Sequence, residues 1–190
     1  MRLRPPRLRD ARAWSQARLR NEAWLAPWEP TSPRRWDERH SLAAWTPLVS
    51  GLRRAARAGT MLPFMITYGG ELVGQMTVAN IVHGGLRSCT VGYWLDSAVA
   101  GRGITPASLA VVIDHCFGPV RLHRVEVDIR PENAPSLRVV DKLGLRREAY
   151  YERFLDIAGG WRDHVGFAIT AEELHGQSML SRLRSLPPTP

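Results

Sequence analysis

Along this 190-residue chain the spacing of apolar residues changes period several times. From Leu62 to Leu95 apolar and polar positions alternate. PFMITYGGELVGQMTVANIV (63–82) predicts a hairpin turning at Gly69-Gly70, and RSCTVGYWLD (87–96) predicts a third antiparallel strand beside it. In 106–117 the residues Leu109, Val112, Ile113, Cys116 and Phe117 recur at the helix period. HRVEVDIRP (123–131) is again a strand. In NAPSLRVVDKLG (133–144), Asn133 is placed to cap a helix, Pro135 sits in its first turn and Gly144 ends it. Strands near 146–155 and 162–170 complete the order.

The N-terminal part has a weaker pattern. MRLRPPRLRD predicts an edge strand, because its prolines exclude a central one, with Asp10 capping a helix to about Asn21. EAWLAPWEPTSP (22–33) reads as a loop. Ser32 and Pro33 read as N-cap and first residue of a helical region reaching about Ala58, which Pro47 should kink or split. The predicted architecture is α/β (α+β): a mixed, mostly antiparallel sheet with helices on its faces, in one domain over 1–175, with 176–190 a flexible tail.

Composition narrows the setting. A hydrophobic content of 44% suits one domain with a real core. The excess of 26 Lys and Arg over 18 Asp and Glu, a net charge of +8, favours anionic partners such as phosphates or RNA. The arginines are dispersed, without the basic-aromatic interleaving of a nucleic-acid surface, so each cluster reads first as a solvated face. Cys89 and Cys116 are far apart, and the six histidines lack H-x-x-x-H or H-E-x-x-H spacing, so neither a disulfide framework nor a metal is predicted. No run approaches the ~20 apolar residues of a membrane helix, and no signal peptide is recognisable. A soluble cytoplasmic protein is expected.

The candidate chemistry begins at VGYWLDSAVAGRGITPASL (91–109). Gly101 and Gly103 bracket Arg102, and Thr105 with Pro106 forms a good N-cap and first-turn pair for the helix that follows. Glycines allow close backbone approach and the free N–H groups at a helix start bind anions, so this turn can cradle a phosphate. On this pattern alone, a tight strand-to-helix turn explains the glycines better. A dinucleotide fingerprint would need a glycine where Pro106 stands, and a Walker loop would need G-K-[ST]. Neither fits.

About thirty residues downstream, RVEVDIRPENAPSLRVVDKLGLRREAYYERF places a strand, an Asn-x-x-Ser helix start and a K-L-G-L stop. Together with VGYWLD, PWEP, HCFGPVRLHRVE and WRDH, this resembles the GNAT acetyltransferases. Within them it resembles the RimJ/RimL group of ribosomal-protein N-terminal alanine acetyltransferases, particularly the actinobacterial RimJ type, over about residues 2–170. The family's Q/R-x-x-G-x-G/A loop reads Ala100, Gly101, Arg102, Gly103, Ile104, Thr105 here, departing at its first and last positions.

The resemblance implies acetyl-CoA as co-substrate, held by Gly101, Arg102, Gly103, Ile104, Thr105, Asn133 and Ser136 and by the strand end at Trp94 and Leu95. There a backbone N–H would face the thioester oxygen. It also implies direct attack by an amine. Asp128 matches the position of a catalytic glutamate in RimI-type enzymes, and Glu126, two residues away on the same side of the strand, is the second candidate base. A surface pair is an equal reading of both, and Glu152 is a third candidate. Ser136 matches the serine that assists the departing thiolate in RimL-like enzymes, its bland alternative being a helix-start serine that supports the Asn133 cap. The RimI-type acid tyrosine is replaced by Val140, leaving Tyr150 and Tyr151 as substitutes. Trp24, Trp28 and Trp36 read equally as an apolar acceptor wall or as packing residues.

The implied acceptor is a protein N-terminus, with a ribosomal protein or the ribosome as partner and RNA contact left open; monomer and homodimer both fit. An α-amino group of pKa ~7.8 is roughly a fifth deprotonated near pH ~7.2, whereas a lysine at ~10.4 is neutral in under ~0.1% of molecules. An N-terminal acceptor therefore asks less of any base. Two alternatives stand beside it. One is acetylation of a small amine or antibiotic, which would call for a more acidic cleft than the W-E-P and D-E-R-H acids can make; the other is a non-catalytic acetyl-CoA-binding relative.

Overall fold

In the computed structural model, which describes residues 1–185, the alternating segments are strands β2 (Leu62–Tyr68), β3 (Glu71–Val82) and β4 (Ser88–Leu95). Arg2–Arg4 forms β1 beside β2 at the sheet edge, where the following prolines cost no ladder bond. β5 (Arg124–Ile129), β6 (Arg146–Ile157) and β7 (Gly160–Thr170) complete one seven-stranded sheet in the order β1-β2-β3-β4-β5-β7-β6. Only β4 and β5 are parallel. A parallel pair needs a crossover, and the segment between these strands supplies it as a helix.

Seven helices flank the sheet among the described residues: α1 (Ala11–Arg20), α2 (Glu22–Leu25), α3 (Trp36–Arg39), α4 (Leu42–Arg57), α5 (Ile104–Phe117), α6 (Ala134–Leu143) and α7 (Met179–Ser185). Alternation along β4 divides its side chains between two cores. Cys89, Val91, Tyr93 and Leu95 join the larger one with Leu109, Ile113, Val140, Leu143 and Met179 from α5, α6 and α7. Trp94 points the other way, against Trp14, Trp45, Val49, Met65 and Leu72 under α1 and α4. The architecture is the expected mixed sheet with helices on both faces.

The feature that positions the site is an interruption of the sheet. β4 and β5 pair only from Ser88–Thr90 to Arg124–Glu126, although β4 runs on to Leu95 and β5 to Ile129. β5 stays bonded to β7 as far as Ile129 opposite Val165, and β4 stays bonded to β3 as far as Leu95 opposite Gly74. The two strands therefore diverge, and a wedge opens between Val91–Leu95 and Val127–Ile129.

Several expectations at the ends of elements need correction. Asp10 does not cap α1 with its side chain; it accepts from the Arg7 N–H at 2.8 Å and from both Nη atoms of Arg4 at 2.7 Å, closing a short turn that runs into the helix. Ser32 and Pro33 open no helix, because the Ser32 hydroxyl accepts the Arg34 N–H two residues on, a local turn that competes with capping. The helix starts instead at Ser41, whose hydroxyl accepts the Ala44 N–H, and the break falls at His40 rather than Pro47. Pro47 sits on the exposed side of α4, which continues through it to Arg57. The expected loop 22–33 contains α2 and a tight turn at Ala26–Trp28, then docks on the β6–β7 hairpin: the Thr31 N–H donates to the Asp156 carbonyl at 2.9 Å and the Ala158 N–H to the Glu29 carbonyl at 3.2 Å.

The flexible tail placed at 176–190 is also corrected as far as Ser185. α7 lies on α5 with Met179 fully buried, and the Asp114 carboxylate accepts the N–H groups of Met179 and Leu180 at 2.6 and 3.1 Å. The remainder of that expectation lies outside the described residues.

Candidate active site

The glycine turn leads into the wedge. Asp96, at the end of β4, accepts the Ala98 N–H at 3.1 Å, and its carboxylate is also bonded by Arg20 and, at 2.9 Å, by Asn21. Burial alone would raise the Asp96 carboxyl, but the bonds from Arg20 and Asn21 outweigh it and hold the group below its ordinary value. β4 is thus tied to α1 immediately before the turn. Gly101 and Gly103 both adopt left-handed backbone, φ 77° and 72°, with open space where a Cβ would stand. Gly103, not Thr105, is the N-cap of α5, so Thr105 and Pro106 fall inside the first turn. The N–H groups of Gly103, Ile104 and Thr105 have no intrahelical acceptor by position, and Pro106 has none to leave unpaired. Such a helix start, facing open space, fits a pyrophosphate.

A cleft of about 960 Å³ extends from this turn between α5 and α6, lined by Trp94, Leu95, Gly101, Gly103, Ile104, Thr105, Asn133 and Ser136 among others. These are the predicted cofactor residues, Arg102 excepted: Arg102 is exposed and off the cleft wall. Ala100 lines the cleft at the first position of the loop pattern. At the strand end, the Asp96 N–H donates to the Val73 carbonyl at 2.8 Å. Because N–H directions alternate along an antiparallel strand, the Leu95 N–H faces away from β3, toward the wedge. The Trp24 indole N–H donates to the Leu95 carbonyl at 3.2 Å from that same side.

α6 brings two groups to the wedge. Asn133 caps it as expected, its side-chain oxygen accepting the Ser136 N–H at 3.2 Å, and the Ser136 hydroxyl lies 2.7 Å from that of Tyr93 on β4. Burial pushes the Tyr93 phenol up to about 12, against the opposing Ser136 hydrogen bond. Tyr150 and Tyr151 are not here: Tyr150 donates to Asp163 at 2.6 Å, and Tyr151 stacks on Phe154. Val140 is buried in the larger core.

A second cleft, of about 330 Å³, opens on the other side of Tyr93, Trp94, Asn133 and Ser136, which line both. Its wall includes Trp28, Glu29, Gln75, Thr77, Asp128 and His164. Burial and then the nearby Glu126 charge raise the Asp128 carboxyl above its ordinary value, with His164 acting in opposition. The His164 Nδ1–H donates to the Arg162 carbonyl at 3.0 Å, since a carbonyl can only accept.

Of the two expected carboxylates the wedge receives only Asp128. Glu126 sits where β4 and β5 are still paired, and Arg124 engages it together with Glu148. Glu152 is exposed on β6 and lines neither cleft.

The tryptophans divide. Trp24 lines the larger cleft and Trp28 both, with the Arg130 guanidinium 5.2 Å over the Trp28 ring. Trp36 lines neither; it packs on His40 and beneath the guanidinium groups of Arg18 and Arg39. Arg18, 3% exposed, lies 5.0 Å over Trp94 and bonds Glu29 at 2.6 Å. The His40 Nδ1–H donates to the Trp36 carbonyl, so Nε2 accepts from Arg18 at 2.9 Å, and burial followed by the Arg18 charge depresses the imidazole to about 4.

Sequence reasoning missed Tyr93, His164 and Glu29. Tyr93 lay within the quoted strand, and alternation from Cys89 and Val91 places it on the α6 side; that signal was available. Glu29 and His164 come from an assumed loop and a terminal strand, and only tertiary folding brings them to the wedge. Among the described residues, no group of three or more His, Cys, Asp or Glu is placed to hold a metal ion, and no helix is long and apolar enough to cross a membrane.

Residues 1–146 match the family model described as acetyltransferase (GNAT) domain. The solved structure of Mycobacterium smegmatis RimJ in complex with CoA-disulfide is 50% identical, with a TM-score of 0.94, covering 96% of this chain and 87% of that one. The [ribosomal protein uS5]-alanine N-acetyltransferase of Escherichia coli is 27% identical over 168 residues, 87% of this chain and 84% of that protein. A probable N-acetyltransferase of Bacillus subtilis, YjcK, is 36% identical over 99 residues, and there the match spans 52% of this chain and only 55% of the relative.

Proposed function

The chain belongs to the GNAT acetyltransferase family, and from that premise we propose that it transfers the acetyl group of acetyl-CoA to the N-terminal α-amino group of a protein, a ribosomal protein in particular. The observation that carries this reading is the meeting of two clefts at Tyr93, Trp94, Asn133 and Ser136, with two carboxylates in the smaller one, of which Glu29 is engaged by Arg18 and Arg39 and Asp128 is the candidate base. One modestly basic carboxylate matches the demand of an α-amine, which is already partly neutral near pH ~7, better than that of a lysine. The relatives named for acetylation of a ribosomal protein's alanine and as RimJ support the acceptor class.

The residues divide the work as follows. The N–H groups of Gly103, Ile104 and Thr105 hold the pyrophosphate at the start of α5, and the wedge edge of β4 aligns the pantetheine arm. When bound, acetyl-CoA supplies a thioester carbonyl for direct attack. Asp128 takes the proton of the incoming ammonium, through water where the acceptor stands further off, leaving the amine lone pair free. As the new C–N bond forms, negative charge grows on the carbonyl oxygen, and the Leu95 N–H is oriented to meet it. As the C–S bond breaks, the thiolate receives a proton from the Tyr93–Ser136 pair, and the second proton, shed by the nitrogen as it becomes an amide, passes through water to restore the pair. Tyr93, with its phenol near 12, keeps its proton at neutral pH and can be the donor. Trp28 and Glu29 line the acceptor side, and Arg18 fixes both Glu29 and Trp94 from behind.

Mass spectrometry of purified ribosomal proteins incubated with enzyme and acetyl-CoA tests the acceptor. A single acetyl group on an N-terminal residue supports the reading, and acetyl groups confined to lysine side chains contradict it.

A further inference from the structure

The far end of the larger cleft is cationic and is partly built by a segment beyond the family-model match. Arg138 and Lys142 lie four residues apart on α6, hence on one helix face, and both line the cleft. Arg182 of α7 joins them; the carboxylates lining the same cleft are Asp141, beside them on α6, and Glu29. The family model ends at residue 146, whereas α7 begins at Met179. Its placement is determined: Asp114 of α5 takes the first N–H groups of α7, and Met179 anchors it in the core. Gly144 makes the reach possible. A Cβ there would stand 2.5 Å from Arg182 Nη2, and the left-handed φ of 66° independently requires a residue like glycine.

The cleft has one anion site at the start of α5 and its acyl end at Tyr93 and Ser136. A CoA molecule spanning those points carries one further anionic group, the 3′-phosphate on its ribose, on the side away from the pantetheine arm. The geometry points to Arg182, with Arg138 and Lys142, as a subsite for that 3′-phosphate, so that α7 makes the chain selective for CoA over dephospho-CoA. This rests on the acetyl-CoA reading of the same cleft. A guanidinium matches a phosphate with two parallel hydrogen bonds, and its position at the C-terminal end of α6 is also favourable for a cation. That second role is purely structural and would not distinguish the two ligands.

Isothermal titration of the full chain with CoA and with dephospho-CoA separates these cases. Wild type is expected to bind CoA about tenfold or more tightly than dephospho-CoA, as for loss of a charge-assisted hydrogen bond. Arg182→Ala should narrow that ratio to within about threefold by weakening CoA alone. Arg182→Gln, which keeps the length and packing of the side chain, should do the same, so a poorly folded alanine variant does not decide the matter. Equal affinities in wild type overturn the subsite. A ratio unchanged in the variants, or an equal loss for both ligands, overturns the role of Arg182, placing it on the pyrophosphate or on α6. Binding of neither ligand by wild type would remove the cofactor reading itself, and the subsite with it.

Discussion

The hydroxyls of Tyr93 and Ser136 lie 2.7 Å apart where the two clefts meet, one carried by the end of β4 and the other by the first turn of α6. They form one hydrogen-bonded unit, which the proposed mechanism sets against the departing thiolate. Removing the proton donor should therefore cost turnover more than binding. Tyr93→Phe is expected to lower kcat by about 10²-fold and Ser136→Ala by about tenfold, within the range for a positioned acid. Because the two act together, the double variant should fall little below Tyr93→Phe alone. Unchanged kcat in a well-folded Ser136→Ala would remove the serine from the mechanism.

As the proposed base, Asp128 links activity and stability in opposite directions. Its carboxyl is raised by burial and by Glu126, so folding favours the protonated form. The resulting cost is absent below the ordinary carboxylate pKa, grows as pH rises to the folded value, and is complete above it. Asp128→Asn should therefore raise the Tm at pH 7 while lowering kcat/KM and abolishing the acidic limb that Asp128 contributes. Calorimetry and a pH–rate profile on the same variant check both. An unchanged acidic limb would exclude Asp128 as the base.

Gly103→Ala tests the phosphate turn. An alanine meets open space at this position but must adopt φ near 72°. The left-handed conformation costs about 1–2 kcal/mol for a non-glycine residue. Relaxation of that turn would misdirect the N–H groups of Ile104 and Thr105. KM for acetyl-CoA should rise about tenfold with a modest fall in Tm, measured by steady-state kinetics and thermal denaturation.

His40 provides a pH test away from the reacting atoms. It is buried and neutral, donating to Trp36 and accepting from Arg18, with its pKa depressed to about 4 from 6.5. A depressed histidine contributes stability that is fully present above the unfolded value and lost as pH falls toward the folded one. Between pH ~6.5 and ~4, wild type should lose stability that His40→Gln does not lose, by denaturant midpoints measured at each pH.

Much of this was legible in the sequence for physical reasons that stay local. The meander, α5, α6 and the Asn133 and Gly144 caps follow from period and capping chemistry within a few residues, and the left-handed turn announces itself through Gly101 and Gly103. What was not legible depends on partners far along the chain. α7 is fixed by Asp114, 65 residues earlier. The segment 22–33 is ordered by bonds to the β6–β7 hairpin, and no nearby residue signals them. Glu126 and Asp128 are equivalent in the sequence, two apart on one strand. Only the point at which β4 leaves β5, just after Thr90 and Glu126, keeps Glu126 in a paired, arginine-bound setting and gives Asp128 to the cleft.

The central claim is that the wedge acetylates free protein N-termini. CoA release, followed with acetyl-CoA and peptides beginning with Ala, Ser or Met, beside lysine-containing peptides with blocked N-termini, tests it most directly. The account predicts turnover on the free N-termini and none on the blocked peptides. Turnover on lysine side chains, or none on any peptide despite measurable acetyl-CoA binding, would contradict it.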